Sequence, residues 1–136
     1  MKKLICSLIL LMLLVSVASA APAYPDNLWQ GLIGEATSEG YEGLYAVACV
    51  VRNRLEKGMD TGLVALKRPD LVTFCAKEGH SREVMAKRVV REVFELGGPD
   101  TVKGALYFEN VGAFGTPKWA KGKKAVARIG KHTFYK

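Results

Sequence analysis

Three carboxylates stand close together in the stretch LWQGLIGEATSEGYEGLYAVACVVRNR, residues 28–54: Glu35, Glu39 and Glu42. Glu35 has the position best suited to acid–base chemistry. At 100° per residue, Leu28, Trp29, Leu32, Ile33 and Ala36 share one arc of a short helix, and Glu35 falls beside the Leu28 and Leu32 edge. A carboxylate there is half out of water, and desolvation disfavours its charged form, as a general acid working near neutrality requires. A solvated glutamate bordering an apolar stripe has the same periodicity, so position alone leaves both readings open. Glu39 falls in a loop and Glu42 opens the next helix, where an anion is favoured by the helix dipole. Neither is compelled by spacing to be a second catalytic group. No CxxC or His/Cys cluster is present, and His80 and His132 are too far apart in sequence to suggest a metal site by spacing. No metal or cofactor is expected.

The elements that must hold Glu35 follow from the pattern around it. Residues APAYPDN lead in, with Asp26 or Asn27 as a helix cap. The loop TSEG turns the chain, with Gly40 and Gly43 supplying backbone freedom. From Leu44 to Val51 the chain carries no charge, which predicts a helix buried nearly all round at the centre of the domain, ended by Gly58 in the left-handed cap position. Glu42, Ala46, Cys49 and Asn53 align along one face of it, as the floor of a groove or as the outward face. Residues 59–80 read as a helical turn at Leu63–Leu66 before Pro69 and irregular chain after it, with Phe74 in the core or lining a cleft. Ser81 is expected to cap a helix running to about Leu96, with Met85, Val89, Val90, Val93, Phe94 and Leu96 on its apolar side and Gly97, Gly98 and Pro99 as its stop. The last third changes period. ALYF reads as a strand, and KKAVARI and HTFY as a hairpin closed by Gly130 and Lys131, with Trp119 on the loop or turn between them. The class is α+β, a helical core with a small antiparallel sheet near the C-terminus.

Length allows one domain among 136 residues, and the first 20 read as a leader. Lys2 and Lys3 precede an uncharged run, Leu4–Val17, that ends in Ala18, Ser19 and Ala20. The run is shorter than the roughly 20 residues a membrane-spanning helix needs, which favours a cleaved signal peptide over an anchor. Residues 21–136 then form the working domain, exported to the periplasm, wall or exterior, with a mature start at Ala21 or Tyr24. Losing the two lysines lowers the formal charge from +7 to +5, and the remaining positives crowd toward Lys118–Lys136. A basic exported protein is steered toward polyanions such as bacterial walls, and no nucleic-acid motif accompanies the charge. Cys49 and Cys75 remain after cleavage, and export allows them a disulfide; two buried free thiols are the alternative. No repeat or linker to a second domain is visible, so a wall-anchoring module is expected on another protein.

The run GEATSEGYEGLYAVACVVRNRL, with GALYFEN and RIGKHTFY after it in the same order, resembles the SleB-type cell-wall hydrolases, which carry GEA-x-x-E-x-x-EG, GALYF-x-N and IG-x-H-x-F segments. The resemblance spans Leu28 to Tyr135. It implies a compact lysozyme-like α+β domain that degrades peptidoglycan, including spore cortex, with the glutamate of GEA, here Glu35, as acid/base. Glu109 stands where an aromatic is usual, and Val111 where a proline is usual.

Cleavage between N-acetylmuramic acid and N-acetylglucosamine needs an acid at the leaving oxygen. A hydrolase then uses a second carboxylate, whereas a lytic transglycosylase lets the muramic acid 6-hydroxyl attack and can run on one glutamate. With Glu35 as the dominant carboxylate, the expectation is lytic transglycosylation giving 1,6-anhydro-muramic acid; a muramidase-type hydrolase and a non-catalytic peptidoglycan-binding module are the alternatives. Sugar rings stack on aromatic faces and amides hydrogen-bond N-acetyl groups, so Tyr41, Tyr107, Asn110 and Trp119, with Glu42, are the candidate substrate-binding residues. Core packing is the competing role for each aromatic, and Phe108 should point opposite Tyr107. The expected partner is peptidoglycan, met by a monomer in transient wall or membrane-surface association, and not nucleic acid.

Overall fold

The computed structural model describes residues 20–136, so the expected leader lies outside the described residues except for Ala20. Helix α1, Leu28–Ala36, turns its expected apolar arc inward: Leu28, Leu32, Ile33 and Ala36 are buried. Asn27 precedes it without a side-chain cap bond; its carbonyl instead accepts the Gln30 and Gly31 amides. A single 3-10 turn, Thr37–Glu39, links α1 to α2, Gly40–Glu56. Every residue of α2 from Gly43 to Val51 is buried, as its uncharged run requires. Gly58 follows in the left-handed region at φ 73°, and the Met59 amide reaches back to the Arg54 carbonyl.

Two places between α2 and the sheet differ from expectation. The helical turn near Leu63 is present as a 3-10 turn, Val64–Lys67, but the chain after Pro69 is helical: α3, Leu71–Glu78, buries only Leu71 and Cys75 on its inner side. Two turns with a single i, i+4 pair give too little period to read. Helix α4, His80–Val90, starts directly after Gly79, so Ser81 lies inside it and caps nothing. Arg91–Glu95 then widen into a π-helical segment in which the Leu96 amide reaches the Arg91 carbonyl. The extra residue per turn lets both Val93 and Phe94 enter the core and swings Leu96 outward, where it is 62% exposed.

The C-terminal third forms the expected antiparallel sheet, in order β1-β3-β2, from β1 Tyr107–Glu109, β2 Ala125–Ile129 and β3 His132–Tyr135. Its hairpin turns at Gly130 and Lys131, with Ile129 opposite His132. Phe108 pairs with Phe134, which is fully buried and fixes the sheet to the helical core. A short helix α5, Val111–Phe114, follows β1 where the sequence suggested a loop or turn, and Trp119 rides on the 3-10 turn Lys118–Ala120.

The Cys49–Cys75 bridge is not formed. Cys49 on α2 directs its thiol at the Pro99 carbonyl and Cys75 on α3 at the Gln30 carbonyl, so each is a buried free thiol packed in a different wall of the core. The stripe Glu42, Ala46, Cys49, Asn53 is likewise no groove floor. Ala46 and Cys49 are fully buried, and Asn53 donates to Asp100 and to the Ala105 carbonyl, so the loop after α4 covers this face.

Candidate active site

Glu35 is the next-to-last residue of α1, half-buried, and lines a cleft of about 450 Å³ between the first helices and the sheet. Its neighbours in the helix explain how it is held. A Cβ on Gly34 would lie only 2.5 Å from the Ala65 Cβ, so glycine is what allows the Val64–Lys67 turn to press against α1. That approach brings the Ala65 amide to 2.9 Å from Glu35 Oε1, where it donates a hydrogen bond. Among the described residues no other donor engages Glu35, which leaves its second oxygen for a ligand in the cleft.

The facing wall comes from β1 and the segment after it. Tyr107, Asn110 and Trp119 all line the same cleft as Glu35. The Tyr107 ring lies 5.9 Å from Trp119, and Trp119 meets Tyr135 edge-on at 5.5 Å, so the aromatics form a continuous surface. Trp119 remains 42% exposed. Lys123 sits 4.0 Å above the Tyr107 ring, bringing one of the C-terminal lysines to the cleft wall. Asn110 spends its side-chain oxygen on the Ala113 amide, capping α5, and retains its amide hydrogens. Phe108 and Tyr107 both contribute to the lining, but Phe108 packs against His132 and Phe134 while Tyr107 faces Trp119, the opposed orientation expected of neighbours on a strand.

Tyr41 and Glu42 are not brought to this cleft. They line a separate apolar hollow of about 590 Å³ with Tyr45, Glu92, Leu96 and Pro99. Glu42 is exposed there, and Tyr41 donates its hydroxyl hydrogen to Glu92, which Arg88 also engages at 2.7 Å. The hydrogen bond to Glu92, followed by burial, pushes the Tyr41 phenol up to about 12, and the same bond with that from Arg88 holds the Glu92 carboxyl below its usual range.

Glu39 is withdrawn from the cleft altogether: its side chain is 7% exposed, and its Oε1 accepts the Lys131 amide at 3.0 Å. Residues that spacing did not single out take part instead. Arg54, at the solvent end of α2, borders the cleft and anchors it by donating to the Leu106 and Asp60 carbonyls. Glu109 and His132 also line it, both inside motifs already marked in the sequence; Phe114 stands at its mouth, 79% exposed.

This geometry can be set beside known proteins. A family model described as Cell Wall Hydrolase matches residues 38–135. Spore cortex-lytic enzymes of Bacillus subtilis (strain 168) and of Halalkalibacterium halodurans are each 33% identical, over 79% and 88% of this chain. The chain spans only 35% and 38% of their lengths. Among solved structures, the catalytic domain of the germination-specific lytic transglycosylase SleB from Bacillus anthracis superposes with a TM-score of 0.59 at 27% identity, covering 84% of this chain and 98% of that one. The catalytic domain of the Bacillus cereus SleB protein gives 0.57 at 28% identity, covering 86% and 95%. The α+β architecture is that of these catalytic domains, a core of helices with a small antiparallel sheet at the C-terminus, and the chain belongs to the cell wall hydrolase family.

Proposed function

We propose that this domain cleaves the glycan strand of peptidoglycan between N-acetylmuramic acid and N-acetylglucosamine, with Glu35 first as general acid and then as base. The observation that carries the reading is the half-buried Glu35 carboxylate in the cleft, with one oxygen held by the Ala65 amide and the other open, opposite an aromatic wall suited to sugar rings. In this route Glu35 protonates the leaving oxygen and the anomeric carbon loses its bond to it. The muramic acid 6-hydroxyl then closes on that carbon and returns its proton to Glu35. The product ends in 1,6-anhydro-muramic acid. Burial of Glu39 and the distinct location of Glu42 favour a one-carboxylate route, and the likeness to the Bacillus anthracis SleB catalytic domain, named as a lytic transglycosylase, supports it. The leader read from residues 1–20 supports action outside the cytoplasm, on wall or cortex.

A hydrolytic outcome is the second reading, because Glu109 lines the cleft and could activate water. Product analysis separates the two. Transglycosylation gives a product lighter by one water than the hydrolytic one, with no solvent oxygen-18 at the new end; label there sinks the transglycosylase and points to Glu109. Glu35→Gln should fold and bind walls but lose about 10²–10⁴ in turnover. Full activity in that variant overturns both readings.

A further inference from the structure

His132 is 3% exposed and lines the cleft that holds Glu35, yet its Nδ1 is buried with no hydrogen-bond partner among the described residues. The atom facing it is Glu39 Oε1, 3.3 Å away but off the line of a hydrogen bond, so the contact is one of charge with dipole. A buried polar nitrogen left this way costs stability that a better-packed apolar ring would save. The surroundings are built to keep the pair. Glu39 is wedged between two glycines: a Cβ on Gly43 would overlap its side chain, and a Cβ on Gly130 would overlap its carboxylate. Gly130 also takes φ 57° in the hairpin turn, and the next amide, Lys131, donates to the same Glu39 oxygen. Phe108, at 5.7 Å, and Phe134, at 6.4 Å, hold the imidazole from the sheet side.

We propose that Glu39 is a positioning residue for His132, and that His132 touches the glycan in the Glu35 cleft. A lone pair on Nδ1 would face the Glu39 oxygen and be repelled, so the proton resides on Nδ1 and the lone pair on Nε2. With Nδ1 turned to Glu39, Nε2 is the nitrogen that meets a ligand, and it accepts a hydrogen bond from a glycan donor, a ring hydroxyl or an acetamido N–H. The role deepens the proposed function and rests on it, since it presumes that the glycan enters this cleft. It also gives a role to a buried carboxylate that does not line the cleft: it acts through the imidazole.

The test pairs a spectroscopic readout with kinetics on purified peptidoglycan. Long-range proton–nitrogen NMR of the nitrogen-15-labelled protein at the assay pH should show His132 protonated on Nδ1 and bare on Nε2. Glu39→Gln, whose amide oxygen still accepts the Lys131 amide but carries no charge, should weaken the Nδ1 preference, seen as a mixture of the two tautomers, and lower kcat/KM by up to roughly tenfold, the loss of one substrate hydrogen bond. His132→Phe should show a similar loss with thermal midpoint retained, and His132→Gln, whose amide oxygen can accept in place of Nε2, should recover part of it. A proton on Nε2 in the wild-type protein overturns the proposal whatever the variants do. So does full activity in both Glu39→Gln and His132→Phe. If Glu35→Gln is inactive in the same assay, that failure belongs to this inference alone; if Glu35→Gln is active, the function itself is wrong.

Discussion

Tyr41 and Glu92 form the clearest electrostatic unit outside the cleft, and their coupling makes a sharp expectation. The phenol donates to a carboxylate that Arg88 also holds, so the proton on Tyr41 is stabilised and its loss is deferred to about 12. A group whose folded pKa is raised contributes stability that is fully present below its unfolded value, about 10, and is lost as pH climbs through about 12. Glu92 has the opposite sign. Its depressed carboxyl contributes above the unfolded value of about 4.3 and loses that contribution as pH falls through the lower folded value. In an alkaline titration followed by phenolate absorbance, Glu92→Gln should bring the Tyr41 transition down toward about 10. A titration curve identical to wild type would show that the pair is not coupled. Because this network and Glu42 line a hollow other than the Glu35 cleft, Glu42→Gln should leave turnover within about twofold, as for other exposed changes away from a site. A loss comparable to that of Glu35→Gln would bring Glu42 back into the reaction.

Between α1 and the Val64–Lys67 turn, contact is closer than any side chain at position 34 permits, and this gives the Gly-Glu-Ala motif a physical reading. Gly34 admits the turn, Glu35 receives its amide, and Ala36 is buried beneath. Gly34→Ala should therefore shift the turn and break the Ala65 bond to Glu35. Alanine's better helix propensity, about 1 kcal/mol over glycine, offsets part of the clash, so activity should fall at least tenfold while stability changes by less than about 2 kcal/mol. Wild-type kcat/KM in this variant would show that the amide does not tune Glu35. The chain leaving α4 is likewise held against α2. Arg52 donates to the Val93 and Gly98 carbonyls, and Tyr45 to the Pro99 carbonyl, which straps the chain leaving α4 onto the central helix.

One continuous core supports both walls of the cleft, with α2 at its centre and Phe134 inserted from the sheet. Leu44 is fully buried there, and Leu44→Ala should cost about 2–5 kcal/mol, read as a lower denaturant midpoint. The core also sets the state of the cysteines. Burial pushes both thiols up, so they should react slowly in the native protein. Chain expressed from Ala21, unfolded without reductant, should titrate as two thiols; none would restore the bridge that the fold separates.

From the amino-acid order alone came the α1–turn–α2 unit, the buried character of α2, the hairpin at Gly130 and the placement of Glu35 beside an apolar arc, because each is a matter of local period and turn chemistry. Tyr107, Asn110 and Trp119, chosen from the chemistry of sugars, line the same cleft as Glu35. What neighbours in space decide was out of reach. Short α3 and α5 owe their helicity to packing and capping, and the π-helical segment turns Leu96 out by adding one residue to a turn. Spacing put Tyr41 and Glu42 near Glu35, but α2 carries them to a different hollow. It left Glu39 in a loop, while the hairpin folds back across ninety-odd residues to bury that carboxylate under Lys131 and His132. Local periodicity reports which face of an element is apolar; which partner covers that face, and which polar groups are trapped beneath it, is set only when distant segments close on one another.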